Sequence, residues 1–222
     1  MTMSIRVLPI APFEAEPWLL EKHYAKRIPS ISYAFGAYIE NELVGIVTYG
    51  TSASSTLRFG VCGRKWEECV IELNRLVCVN EKNMASQLIG KSLQMLPKPT
   101  IVVSYADSGQ GHVGYVYQAT NFVYTGLSAK FRDPKVRGLE HQHHATYAHG
   151  LSNEQLIEKY GAENVYFVER SQKHRYIYFC GNKKQKKEML NDLQYDLMPY
   201  PKGESQTYDA GGKVKTQMLL FA

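Results

Sequence analysis

Apolar and polar positions along the first 130 residues fall into short blocks with clear periods. "MSIRVLPI" opens the chain as a strand. "EAEPWLLEKHYAKRI" has helical spacing, with Pro17 near its first turn and Pro29 just beyond its end. "YAFGAYIE" and "NELVGIVTYG" are two apolar runs meeting at a polar turn, which predicts a hairpin. "VIELNRLVCV" (70–79) is rich in β-branched residues and predicts a long strand. Ala85, Leu88, Ile89, Ser92, Leu93 and Leu96 then recur at i, i+3, i+4, i+7, i+8 and i+11, one face of a helix that Pro97 and Pro99 stop. "TIVVSY" predicts a buried strand, Val113, Val116, Tyr117 and Thr120 one face of a second helix, and "NFVYTG" a returning strand.

The order to residue 128 is therefore β-α-β-β-β-α-β-α-β. A meander followed by two crossover units implies an α/β fold: a mixed central sheet flanked by helices. Beyond 130 the pattern weakens. "NVYFVER" and "HRYIYFC" predict two strands, "NKKQKKEMLNDLQYDL" a basic amphipathic helix, and "YPKGESQTYDAGGKVK" a loose tail. The expectation is one domain over 1–222, its core at about 1–130 plus strands to about 182, with a basic C-terminal extension over 183–222.

Composition narrows the class. Hydrophobic residues make up 44% of the 222, enough for a sizeable core. No apolar run approaches the roughly 18 residues of a membrane span, and the N-terminus lacks a signal-peptide pattern, so a cytoplasmic location is expected. Cys62, Cys69, Cys78 and Cys180 show no CxxC spacing and predict free thiols. The net charge of +5 is modest, but seven Lys/Arg fall between Arg170 and Lys187. Such a run is either a solvated face or a nucleic-acid contact.

"SYADSGQGHVGYVYQATNFVYTG" (104–126) is the least ordinary stretch. A buried strand runs out into Asp107, then glycines, then tyrosines. Ligands of such sheets sit beyond the strands' carboxyl ends. Asp107 is placed two residues past a strand end, Tyr117 on the next helix, and His23 and Tyr24 near the end of the first helix. These N and O donors suit iron rather than a thiolate metal. The residues alone leave plainer readings open: Asp107 as a helix N-cap and Tyr117 as a core tyrosine. "EHQHHATYAH" supplies His141, His143, His144 and His149, read as a solvated loop, with a DNA contact or a rival metal site behind it. Tyr33, Arg75, Tyr105 and Tyr115 are further cavity candidates, Arg75 either toward phosphate or paired with Glu72. Ser104 and Cys78 have no orienting histidine beside them, which argues against covalent catalysis.

The element order resembles the GNAT acyltransferase fold, in which a loop and helix N-terminus after the fourth strand hold the pyrophosphate of coenzyme A. That resemblance places Val77, Cys78, Val79, Asn83, Ala85 and Ser86 at an acetyl-CoA (or related acyl-CoA) site, although the family's glycine-rich loop is absent. "HYAKRIPS", "ELNRLV", "SYADSGQGHVGYVYQATNFVYTGLSAK" and "KHRYIYF" together resemble the Mom family of bacteriophage DNA adenine modification proteins. The resemblance implies an iron-dependent, GNAT-like enzyme. It would place a methylcarbamoyl (carbamoylmethyl-type) group on N6 of adenine in phage DNA and so protect it from host restriction enzymes. Catalytic and metal-binding roles fall by resemblance on His23, Tyr24, Asp107 and Tyr117. Simple transfer from acetyl-CoA would not supply the product's extra nitrogen, and the target base must flip into a pocket. Double-stranded DNA is the expected partner, held by Lys130, Arg132, Lys173, Arg175, Lys183 and Lys184, with Lys135 and Arg137 beside them. An ordinary acetyl-CoA-dependent N-acyltransferase is the alternative.

Overall fold

The computed structural model describes residues 5–52, 54–142 and 144–203. Residues 204–215 of the expected tail, His143 and the side chain of His144 lie outside the described set.

Seven strands form the main sheet in the order β1-β2-β3-β4-β5-β9-β6. They are β1 (Arg6–Pro9), β2 (Tyr33–Ile39), β3 (Glu42–Gly50), β4 (Val70–Cys78), β5 (Thr100–Asp107), β6 (Val123–Leu127) and β9 (Lys173–Cys180). Every neighbouring pair is antiparallel except β4 with β5. The predicted hairpin forms with Ile39 opposite Glu42, and Glu40 takes φ +54 in its two-residue turn. The predicted GNAT-like mixed sheet is present, with β9 slotted between β5 and β6.

Helices cover both faces, as the apolar periods require. On one face α3 (Met84–Met95) buries Leu88, Ile89 and Leu93, and α4 (Tyr115–Ala119) buries Tyr117, against Val47, Tyr49, Val102 and Tyr176. Full burial of each such aliphatic side chain is worth about 1.5–3 kcal/mol. On the other face α1 (Pro12–Pro17) lies over Ala34, Ile46 and Val77, while α2 (Ser55–Cys62) and α7 (Lys183–Asn191) lie over Val70, Ile101 and Ile177.

Two departures from the periodic reading matter for the site. Pro12, not Pro17, opens the first helix, which passes into one wide π turn over Trp18–Lys22 closed by His23 N–H on the Trp18 carbonyl (3.0 Å). The helix ends there because His23 leaves in extended geometry (ψ 135) and buries its ring to 4% exposure. The fifth strand runs through Asp107 rather than ending at Tyr105, held in register by β9 from Thr100–Cys180 to Asp107–Lys173.

Residues 129–170 make a separate unit, of which the sequence pattern shows one strand, "NVYFVER", but not its partner or the helices behind it. β7 (Phe131–Val136) and β8 (Val165–Arg170) pair as a two-stranded ribbon, backed by α5 (His144–Ala148) and α6 (Asn153–Tyr160). Val136, Tyr147 and Leu156 form its own small core. The histidine string, expected as a loop, thus runs into a helix. The basic helix α7 forms as predicted but ends at Asn191, short of Leu197.

Candidate active site

The site is produced by a fault in strand pairing. β4 and β5 pair over only four rungs, Val70–Leu73 with Ile101–Ser104, and then part. On the β3 side, Thr48 faces Arg75 while Tyr49 faces Leu73, so Asn74 is an extra residue. Its side chain pins the bulge by taking the Thr48 hydroxyl (2.6 Å) and donating to the Ser30 carbonyl (2.8 Å). A cavity of about 530 Å³ occupies the gap. It is lined from both faces of the sheet: Cys78, Met84, Ala85, Ser86, Val116 and Tyr117 from the α3–α4 side, and His23, Tyr24, Glu72, Tyr105, Asp107 and Lys173 from the other.

The four residues expected to act together therefore line one cavity. The His23 ring stacks on that of Tyr24 at 4.4 Å. Its Nδ1 accepts the Ala25 N–H (3.0 Å), which leaves the imidazole proton on Nε2. Burial, with Arg75 and His112 nearby, lowers its pKa to about 3, so it is neutral at ordinary pH. Burial and the nearby Asp107 raise the Tyr24 phenol. Asp107 Oδ1 accepts from Ser171 Oγ (2.6 Å) and Gly109 N–H (2.9 Å), and Oδ2 faces Lys173 Nζ at 4.0 Å. Asp107 thus also caps the 3₁₀ turn Ser108–Gln110, as its plainer reading had it. Tyr117 packs against Phe122 and Tyr176 and bonds to the Ser104 side chain; burial pushes its phenol up to about 12.

Two cavity residues were missed or misread. Glu72 points into the cavity from β4, and burial raises its carboxyl against the opposing pull of a Ser52 hydrogen bond, Lys173 and Arg75. His112, in the glycine-rich loop, meets Tyr24 edge-on at 6.5 Å, and burial lowers its pKa although Asp107 opposes this. Arg75, Tyr105 and Tyr115 line the cavity as expected; Tyr33 does not.

Of the expected cofactor residues, Cys78, Val79, Asn83, Ala85 and Ser86 line the cavity. Val77 does not: its side chain turns to the opposite face and is fully buried beneath α1. Asn83 precedes α3 at φ +62 without a side-chain cap. The Met84 N–H is taken by the Glu81 carbonyl (3.1 Å), which leaves the next residues of the turn that line the cavity, Ala85 and Ser86, to offer their N–H groups. Those donors suit a phosphate or pyrophosphate.

The expected DNA contacts divide by position. Lys130 and Arg132 are exposed at the root of the ribbon, and Lys173 lies at the cavity. Arg175 is already committed: its guanidinium stacks on Tyr195 at 3.4 Å and donates to Thr125 Oγ1 and O, both at 2.9 Å. Lys183 and Lys184 begin α7 just after Cys180, the β9 residue opposite Thr100. That is the far end of β5 from Asp107, about 23 Å away at the rise of a strand.

As it stands the quartet does not fit iron. A ligating histidine donates its second N–H, whereas His23 Nδ1 accepts one and keeps its proton on Nε2. The hydroxyl of Tyr117 is engaged by Ser104 and Asp107 Oδ1 by two donors. Among the described residues no group of three His, Cys, Asp or Glu gathers as a metal site. No helix among them is long and apolar enough to cross a membrane.

A mixed sheet of this strand order, opened by the parting of its two parallel strands, defines a GNAT-like fold. Solved structures align over most of the chain at low identity. A GNAT-family acetyltransferase from Bacillus cereus covers 79% of this chain and 97% of its own, at 12% identity and a TM-score of 0.42. A Bacillus subtilis acetyltransferase in complex with CoA covers 79% and 99%, at 11% and 0.40. The chain belongs to the Mom protein family, whose profile matches residues 4–202. It is 28% identical over 214 residues, 90% of this chain and 84% of the relative, to the methylcarbamoylase Mom of Escherichia phage Mu.

Proposed function

We propose that this protein is a DNA-modifying transferase that places a methylcarbamoyl group on N6 of adenine in phage DNA. It uses an acetyl-CoA-type donor, works in the host cytoplasm, and shields the DNA from restriction enzymes. Kinship with a phage methylcarbamoylase supports the reaction class. The observation that carries the reading is the cavity between β4 and β5, lined from both faces. A donor held at the α3 N-terminus and an acceptor on the His23 side would meet in the gap.

The residues divide the work by protonation state. Adenine N6 is a weak nucleophile, so it must be held and relieved of a proton as it attacks. Asp107 and Glu72 are the carboxyl groups on the acceptor side, and Ser171 and Gly109 fix the orientation of Asp107. His23 Nε2 is an un-ionised donor placed to hold a substrate oxygen. The Tyr117 hydroxyl instead gives its proton to Ser104, which in turn donates to the Leu73 carbonyl (3.1 Å). The product's extra nitrogen requires a nitrogen donor besides the acyl thioester.

The test is mass spectrometry of nucleosides from DNA of bacteria expressing the protein. A deoxyadenosine bearing the methylcarbamoyl mass, absent with Asp107→Ala, is the expected result. An acetyl mass would make the protein a plain acetyltransferase. Unmodified DNA together with turnover of acetyl-CoA on small amines would overturn the DNA reading.

A further inference from the structure

We infer that the unit over 129–170 is an arm that docks duplex DNA beside the cavity, with Phe131 as the side chain nearest the target base. The inference rests on the reading of the site as one that acts on DNA. Three observations point to the arm rather than to α7.

The first is attachment. Both ends of the arm are tied to the mouth of the cavity. Ser128 N–H donates to the Lys173 carbonyl (2.8 Å), and the Lys173 N–H donates to Ser128 Oγ (3.0 Å). Ser171, the residue after β8, donates to Asp107 itself (2.6 Å). The rung of the ribbon nearest the cavity is Phe131 opposite Arg170.

The second is the surface. In the ribbon register Phe131, Asp133, Lys135, Tyr166, Val168 and Arg170 share one face. The small core with α5 and α6 forms on the other, where Val136 and Val165 point. On the outer face Phe131 is 58% exposed and Val168 43%, uncommon for apolar side chains in a strand. A two-stranded ribbon fits the major groove, and an apolar wedge at its root can fill the stack left by a flipped base.

The third is charge. Residues 130–137 carry Lys130, Arg132, Lys135 and Arg137 against the single acid Asp133. The Arg132–Glu169 pair is 69% and 79% exposed and holds little of that charge back. Glu154 and Glu158 sit on α6, behind the ribbon. In the ribbon register Arg132 shares the helix-backed face with Glu169, and Arg170 on the outer face is paired with Asp133. The cations left for a polyanion are therefore Lys130 at the root, beside Phe131, and Lys135 on the outer face.

Fluorescence anisotropy on a mixed-sequence 30-base-pair duplex across a salt series tests this. Wild type is compared with Lys130→Gln/Lys135→Gln, with Phe131→Ser, and with Lys183→Gln/Lys184→Gln on α7; a cooperative melt certifies each fold. The ribbon pair should lower the slope of log K against log salt by about 1.8, two contacts at about 0.9 each. The α7 pair should leave the slope in place. Phe131→Ser should weaken duplex binding by about tenfold, the stacking worth of one base. An unchanged slope and affinity in both ribbon variants, or a loss confined to the α7 pair, would overturn the arm. Duplex binding that depends on the ribbon, with no modified nucleoside in cells, would leave the arm standing and sink the proposed reaction.

Discussion

His23 gives the structure an acid-sensitive lock. Its ring is buried to 4% exposure with Nδ1 accepting a backbone N–H, and its pKa falls from the ordinary 6.5 to about 3. Between those values the unfolded chain takes up a proton on this imidazole and the folded chain does not. Folding stability therefore falls as the pH drops through that window and is fully restored above 6.5. At about 1.4 kcal/mol per pH unit, acidification from pH 7 to pH 4 should remove about 3 kcal/mol through this one group. His23→Asn isolates the contribution, because the amide oxygen can still accept from Ala25 and cannot titrate. Urea unfolding of both proteins at pH 7, 6, 5 and 4 measures it. The wild type should be ahead at pH 7, and the gap should narrow by about 3 kcal/mol at pH 4, all other acidic and histidine groups cancelling. Parallel losses in the two proteins would refute the buried, neutral imidazole.

Other consequences can be checked singly. Tyr117→Phe keeps the ring in its aromatic cluster and deletes the hydroxyl bonded to Ser104; it should cost at most about 1.5 kcal/mol of stability in calorimetry yet lower adenine modification by about 10²-fold or more. Retained activity would make it a packing residue. Gly114→Ala places a Cβ into the Tyr176 ring at φ +80, so the melting temperature should fall by several degrees, about 2–4 °C per kcal/mol lost; an unchanged melt would contradict the tight approach of α4. Ala85→Trp at the first turn of α3 should weaken acetyl-CoA binding in titration calorimetry, and equal affinity would move the donor site elsewhere.

What the chain announced and what it concealed follow a physical line. α3 was readable because Leu88, Ile89 and Leu93 repeat over three turns, and β4 because its residues favour a pleated, half-buried surface. α2 was passed over: with only Leu57, Val61 and Cys62 buried over eight residues, two turns give too short a period to stand out. Of the ribbon, β8 was readable in "NVYFVER", while β7 and the pairing escaped for another reason. The partners Phe131 and Arg170 are far apart in sequence, and Pro134 inside β7 argues locally against a strand. Of the cavity, Asp107 was visible as a carboxylate at the end of an apolar run. Glu72 was not, because a single acid in "VIELNRLVCV" reads as the solvent side of an alternating strand, and only the parted neighbour turns that side into a cavity wall. Arg175 misled in the opposite sense: its cation looked available until Tyr195, twenty residues on, stacked against it.

The cavity's two-sided lining also bears on the order of events in turnover. A pocket with one mouth obliges the second reactant to wait until the first has left, and so favours a modified-enzyme intermediate. Here the α3 turn with Ala85 and Ser86 stands on one side of the sheet, and His23, Tyr24 and Asp107 on the other. A thioester and a nucleobase arriving from opposite sides would not compete for entry, and either could stay while the other exchanged. Initial-rate lines at varied concentrations of both should then intersect rather than run parallel, without a burst of free coenzyme A in the absence of DNA. On a long duplex, the spent cofactor could be replaced while the protein stayed on its track, one encounter serving several adenines in succession.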